Sequence, residues 1–106
     1  MATMHFDVPH QLPQAEARAR TGVLLRRLAR KHGITVSVGE NTATLSGRAA
    51  IFSFGGRVWV GKTMVVVELD GPPAVINRAG PMIESIRADL VRYLNPAMSL
   101  ERLTRP

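Results

Sequence analysis

The spacing of apolar residues changes at Gly33, and this change constrains the fold more than any other feature of the chain. From residue 13 to residue 32, apolar side chains recur every three or four residues, which predicts one amphipathic helix that ends at Gly33. The stripe on this helix consists of Ala17, Thr21, Leu24, Leu25 and Leu28. After Gly33 the spacing becomes two, which is typical of half-buried strands.

Glycine-containing turns divide the alternating region into the strands of an antiparallel meander. Residues 39–41 and 61–62 predict turns, Gly47-Arg48 predicts a turn or bulge, and Gly55-Gly56 predicts a tight hairpin between residues 49–54 and 57–60. The last strand is predicted over residues 63–69, and residues 5–8 predict a further strand before the helix.

Residues 74–94 predict a second helix, which Gly80-Pro81 either kinks or divides in two. Asn95-Pro96 ends it, and we expect residues 97–106 to form a flexible tail. The predicted order is β-α-β-β-β-β-α. We therefore expect one α+β domain over residues 1–106, with a four- to five-stranded antiparallel meander and two helices packed on one face.

The chain is basic, with a formal net charge of +6 and with twelve arginines against two lysines. Five of the cations crowd the first helix, where they form a predicted basic face: Arg18, Arg26, Arg27, Arg30 and Lys31. Such an excess of positive charge favours an anionic partner. A high-GC genome, which favours Arg and Ala codons, would give the same charge without a functional role.

The sequence contains no cysteine, so disulfides and thiolate metal sites are excluded. The first thirteen residues lack the apolar segment of a signal peptide. The apolar run at residues 64–67 is far shorter than the ~20 residues that span a bilayer. We therefore expect a cytoplasmic protein without a membrane span.

Few residues in the chain suggest catalysis. The three histidines lack the spacing of a zinc site, so no metal is expected. His10 precedes the first helix and is expected to close the entry turn through a hydrogen bond, while a role as general base would need Asp7 to orient it. The acidic residues are scattered, and no serine lies in a nucleophile elbow. We expect no enzymatic activity, no catalytic residues and no cofactor.

Two other motifs have weaker interpretations. Gly56 to Thr63 matches the bare pattern of a phosphate-binding loop, but the flanking residues predict strands, whereas that loop needs a helix after it. The element order also resembles the outline of a double-stranded RNA-binding domain, so nucleic-acid binding is the alternative function. The expected start of the last helix carries only Arg78, however, where that domain has a basic cluster.

The order and spacing of several short segments resemble the polyhydroxyalkanoic acid system family, small proteins encoded near polyester-granule genes. The matching segments are Pro9-His10-Gln11-Leu12, Ala15-Glu16-Ala17-Arg18, residues 28–33, Gly55-Gly56-Arg57-Val58, residues 65–69 and residues 80–84, followed by Leu90 and Leu94. The resemblance covers about residues 4 to 95. It implies an accessory role in polyhydroxyalkanoate storage, at the granule surface or with granule-associated proteins, and it implies no catalytic residues.

Two binding surfaces follow as hypotheses. A groove between the curved sheet and the second helix would be lined by Trp59, Met64, Met82 and Ile83, and it would take an apolar ligand or partner. The same four residues would otherwise fill the core. A homodimer through an exposed sheet face or an edge strand is the second hypothesis.

Overall fold

The computed structural model describes residues 2–49 and 52–104 of the chain. These residues form an α+β fold in which helices pack against a five-stranded antiparallel sheet, as the sequence predicts. The elements are β1 (Ala2–Pro9), α1 (Gln14–His32), β2 (Thr35–Val38), β3 (Thr42–Ala49), β4 (Phe52–Val60), β5 (Met64–Gly71), α2 (Pro73–Arg78), α3 (Gly80–Tyr93) and α4 (Leu100–Thr104).

The strands lie in the order β1-β5-β4-β3-β2, and every neighbouring pair is antiparallel. Strands β2 to β5 form the meander, because each pairs with the next along the chain. Strand β1 adds to the far side of β5, where Phe6 lies opposite Val67 and Val8 opposite Val65. The first strand and the last strand of the chain are therefore neighbours.

One face of the sheet is covered by α1 and α3, and the core lies between the two layers. Successive strand residues point to opposite faces, so burial alternates along β5, where Val65, Val67 and Leu69 are buried. The covered face of the sheet carries Phe6, Val8, Ala43, Val58, Val60, Val65, Val67 and Leu69. Tyr93, Ile83 and Leu90 meet them from α3.

Helix α1 packs with the predicted stripe, since all five residues of the stripe are buried. The helix ends at Gly33, whose φ of 65° lies in the left-handed region, and the Gly33 amide donates to the carbonyl of Ala29. Glycine adopts this conformation without the steric penalty that a Cβ brings. The helix end predicted from the sequence is confirmed.

Two of the predicted turns close hairpins of the sheet. The amide of Gly39 donates to the carbonyl of Thr42 at 2.7 Å, which joins β2 to β3. The amide of Gly61 donates to the carbonyl of Met64 at 2.8 Å, which joins β4 to β5. Gly56 to Thr63 therefore runs through β4 into a hairpin, and no helix follows it as a phosphate-binding loop would require.

The predicted hairpin at Gly55-Gly56 is wrong, because both glycines lie inside β4, paired with β3 and β5. A Cβ on Gly56 would lie 2.7 Å from the Glu68 carbonyl oxygen and 2.7 Å from Leu69 Cδ2. Glycine is thus needed here for close packing and not for a turn.

Gly47 and Arg48 continue β3 without a break, so the predicted turn or bulge is wrong as well. The sequence predicts one strand over residues 49–54. In the structure, residue 49 lies in β3 and residues 52–54 lie in β4, and these two strands pair with each other. Residues 50 and 51 of the predicted strand lie outside the described residues.

The second helix is divided in two, with Pro81 in the first turn of α3. Proline is tolerated there because the first amides of a helix have no intrahelical partner. The tail differs from the flexible segment expected over residues 97–106, since α4 forms within it and Leu103 is buried against the core. Across the described ranges, no helix is long and apolar enough to cross a membrane.

The neighbouring glycines of β4 give a matched test of this packing. Replacing Gly56 with alanine is expected to lower the free energy of unfolding by about 1–3 kcal/mol, because the new methyl group overpacks the site against backbone. Gly55→Ala is the control, since its Cβ would come no closer than 3.4 Å to the Leu45 carbonyl oxygen. Urea denaturation followed by circular dichroism measures both. Equal losses for the two variants would contradict the assignment of Gly56 to close packing.

Candidate functional site

The face of the sheet opposite the helices carries a small apolar patch. Val58 and Val60 point into the core, so Trp59 between them points to the open face, where it lies opposite Val66 of β5. Met64 lies two residues before Val66 on the same face, and Pro9 pairs with Met64. We call Pro9, Trp59, Met64 and Val66 the open-face patch. Met64 is 39% exposed, whereas Trp59 and Val66 are half-buried.

The predicted groove of Trp59, Met64, Met82 and Ile83 does not form. Trp59 and Met64 belong to the open-face patch, while Met82 and Ile83 lie on α3, on the other side of the sheet. Ile83 is a core residue with 2% exposure, and Met82 is half-buried. The groove fails because strand alternation separates Trp59 from the helix layer.

Hydroxyl side chains border the open-face patch on one side, and charged side chains border it on the other. The hydroxyl side chains are exposed on β2 and β3: Thr35, Ser37, Thr42, Thr44 and Ser46. On β1 and β5 the open face carries Asp7, Glu68 and Asp70, and Arg57 of β4 lies opposite Glu68. This face therefore combines apolar, hydroxyl and mainly acidic side chains.

His10 connects the end of β1 to the hairpin between β4 and β5. Its Nε2 lies 2.9 Å from the Gly61 carbonyl oxygen, and its Nδ1 accepts a hydrogen bond from the Leu12 amide at 3.2 Å. This arrangement requires the tautomer with the proton on Nε2. The ring is buried, with 7% exposure, and Asp7 points to the open face at an exposed position. Both ring nitrogens are thus used in holding the entry to α1.

The five residues of the predicted basic face point in different directions. Arg18 donates to the Asn41 side-chain oxygen at 3.2 Å and lies 3.9 Å from the Glu40 carboxylate. Arg26, Arg30 and Lys31 are exposed. Arg27 is exposed as well, so four of the five predicted residues are exposed in the C-terminal half of α1, and Arg27 alone of these four has a side-chain hydrogen bond among the described residues.

Arg27 is tied to the C-terminal part of the chain. Its guanidinium donates to the Tyr93 hydroxyl at 2.9 Å, and this hydrogen bond raises the pKa of Arg27. The Tyr93 hydroxyl in turn donates to the Leu103 carbonyl at 3.4 Å. Arg27 thus helps to hold α3 and α4 against α1.

Arg20 is a buried cation that the sequence analysis did not single out. It is 5% exposed and donates to the backbone carbonyls of Tyr93 at 3.2 Å and Asn95 at 3.0 Å, where α3 ends. Its Nε also lies 3.1 Å from the Glu16 carboxylate. A cation is favourable at this end of a helix because the terminal carbonyls carry partial negative charge. In the sequence, Arg20 lies three residues after Ala17 and therefore on the buried side of α1. This spacing could have identified it as a buried cation.

A cleft of about 410 Å³ opens where the end of α1, the short helix α2 and the sheet meet. Eight apolar residues line it: Ile34, Phe54, Leu69, Ala74, Val75, Ile76, Ala79 and Met82. Its polar lining residues are His32, Arg48 and Arg78, all of them exposed. Met82 is the single member of the predicted groove that this cleft includes. The other lining residues carried no functional signal in the sequence.

Within residues 2–49 and 52–104, no three His, Cys, Asp or Glu side chains lie close enough together to hold a metal ion. No protein-family model matches the sequence, and no curated protein matches it. Among solved structures, the chain is similar to a TBP-like protein from Parabacteroides distasonis ATCC 8503, with a TM-score of 0.48 and 12% identity over 63% of this chain and 52% of that chain. The matched region thus spans about half of that protein, and a similarity at this level carries no argument about function.

Arg20 offers a test of the contact between α1 and the end of α3. Arg20→Met keeps most of the side-chain volume but leaves two backbone carbonyls without their donor. We expect a loss of about 2–4 kcal/mol in the free energy of unfolding. Arg26→Met, on the exposed side of the same helix, is expected to change stability by less than about 0.5 kcal/mol. Equal effects in chemical denaturation would contradict a special role for Arg20.

Proposed function

We propose that this chain is a non-enzymatic accessory protein of polyhydroxyalkanoate storage in the cytoplasm, and that it attaches to the granule surface through the open-face patch. The observation that carries the proposal is the position of Trp59, Met64 and Val66, which are contiguous on the sheet face opposite the layer that α1 and α3 form in the described residues. Apolar side chains on such a face favour attachment to an apolar surface over water.

The surroundings of the open-face patch suit a polyester. Ester groups accept hydrogen bonds and donate none, so the exposed hydroxyls of Thr42 and Thr44 on β3 provide complementary donors. Trp59 presents a large flat apolar group near the end of the central strand of the sheet, opposite Val66. The resemblance to the polyhydroxyalkanoic acid system family supplies the identity of the polymer.

Nucleic-acid binding, the alternative function, has less support from the geometry. Arg27 bonds to Tyr93 and Arg18 to Asn41, so the first helix has fewer cations without a hydrogen-bond partner than the sequence suggests. The open face carries Asp7, Glu68 and Asp70, whose charge repels phosphates.

Sedimentation with amorphous poly(3-hydroxybutyrate) particles, washed in a sodium chloride gradient, tests the proposal. We expect the protein to stay on the particles at high salt, because apolar attachment is not screened by ions. Trp59→Ser combined with Met64→Ser is expected to weaken the partition by at least about tenfold, because two partly exposed apolar groups no longer leave water.

Val91→Ser is the matched control, since Val91 is an apolar residue of α3 with 57% exposure, away from the open-face patch. Equal binding by the double variant and the wild type would contradict the proposal, as would release at modest salt. If a second copy of the chain covers the open-face patch instead, sedimentation equilibrium gives a dimer for the wild type and a monomer for the double variant. Particle binding would then fall as the protein concentration rises.

A further inference from the structure

The floor of the cleft is an apolar surface that two glycines make possible. Phe54 lies across Gly47, where a Cβ would come within 2.7 Å of the Phe54 ring. Gly71 faces Phe54 and Ile76, and a Cβ there would lie 3.3 Å from Phe54 Cβ and 3.5 Å from Ile76 Cδ1. Because Gly47 and Gly71 carry no side chains, the Phe54 ring can lie directly over Gly47, and Ile76 can lie close to Gly71. Together with Leu69 and Met82, they give the cleft its depth.

The size and lining of the cleft suit a small amphipathic molecule. Its volume of about 410 Å³ falls in the range of ordinary small-molecule sites. Branched aliphatic residues and Met82 dominate the apolar lining, and such side chains adapt to a flexible hydrocarbon chain. The apolar floor has no polar side chain that would orient a base or a sugar.

The charge of the polar lining selects for an anion. Arg48 and Arg78 are exposed, and within the described ranges neither has an ion-pair or side-chain hydrogen-bond partner. His32 adds a third polar group, and none of the described lining residues is acidic. Two arginines without an ion-pair partner, in the lining of a cleft with an apolar floor, are complementary to a carboxylate at the end of an alkyl chain.

We infer that this cleft binds an aliphatic carboxylate of medium chain length, with the alkyl chain on Phe54, Leu69 and Met82 and the carboxylate at Arg48 and Arg78. The cleft has its apolar floor on the helix side of the sheet, and Arg48, its residue on β3, lies at the opposite end of that strand from Thr42, the partner of Trp59. Ligand binding in the cleft is therefore independent of attachment to granules. An experiment can contradict one of the two proposals without contradicting the other.

Titration calorimetry with octanoate, octanol and octylammonium tests the inference, and amide chemical shifts in NMR spectra locate the bound molecule. We expect octanoate to bind more tightly than octanol and octylammonium to bind most weakly, with shift changes confined to residues around the cleft. Arg48→Gln combined with Arg78→Gln is expected to weaken octanoate binding by about tenfold and to leave octanol unchanged. Arg26→Gln removes a charge elsewhere and is expected to change neither affinity.

Ala74→Trp gives a second, steric test, because Ala74 lines the cleft at an exposed position of α2 where a large side chain can be accommodated without entering the core. We expect this variant to lose binding of both octanoate and octanol, and Trp59→Ser with Met64→Ser to keep both. The inference is overturned if octanoate fails to bind, if octylammonium binds as tightly, or if the shift changes map to the open-face patch.

Discussion

The pairing of β1 with β5 determines where the other elements lie. Because β1 occupies one edge of the sheet and β2 the other, the chain between them has to cross the sheet, and α1 begins beside β4, where Gln14 donates to the Val60 carbonyl. The apolar stripe of α1 packs over β4 and β2, and His10 and Arg20 anchor this segment at the β4–β5 hairpin and at the end of α3.

The sequence predicted the parts of the fold that depend on local signals. The apolar stripe of α1, the left-handed Gly33 and the turns before Thr42 and Met64 are each contained in a few consecutive residues. The assignment of Gly55-Gly56 failed because glycine marks both turns and close packing. The positions of Glu68 and Leu69, on a neighbouring strand, decide between the two at Gly56.

The candidate sites were harder to predict because they depend on which face a residue joins and on segments far apart in the sequence. Alternation around Trp59 was sufficient to place it opposite the helices, yet the proposed groove combined it with Met82 from the other layer. The cleft draws its arginines from β3 and α2, and no window of the sequence contains both Arg48 and Arg78 with the apolar floor. Charge counting likewise misjudged α1, because Arg20 and Arg27 serve the packing of its neighbours.

The position of β1 has a consequence for synthesis on the ribosome. The first strand leaves the exit tunnel long before its partner β5, and the intervening residues take several seconds to make at typical elongation rates. During that interval β1 lacks its partner strand, although α1 and the β2–β4 meander can already form from local contacts. Completion of the sheet on the ribosome therefore waits for the emergence of β5, and β1 stays accessible to chaperones until then.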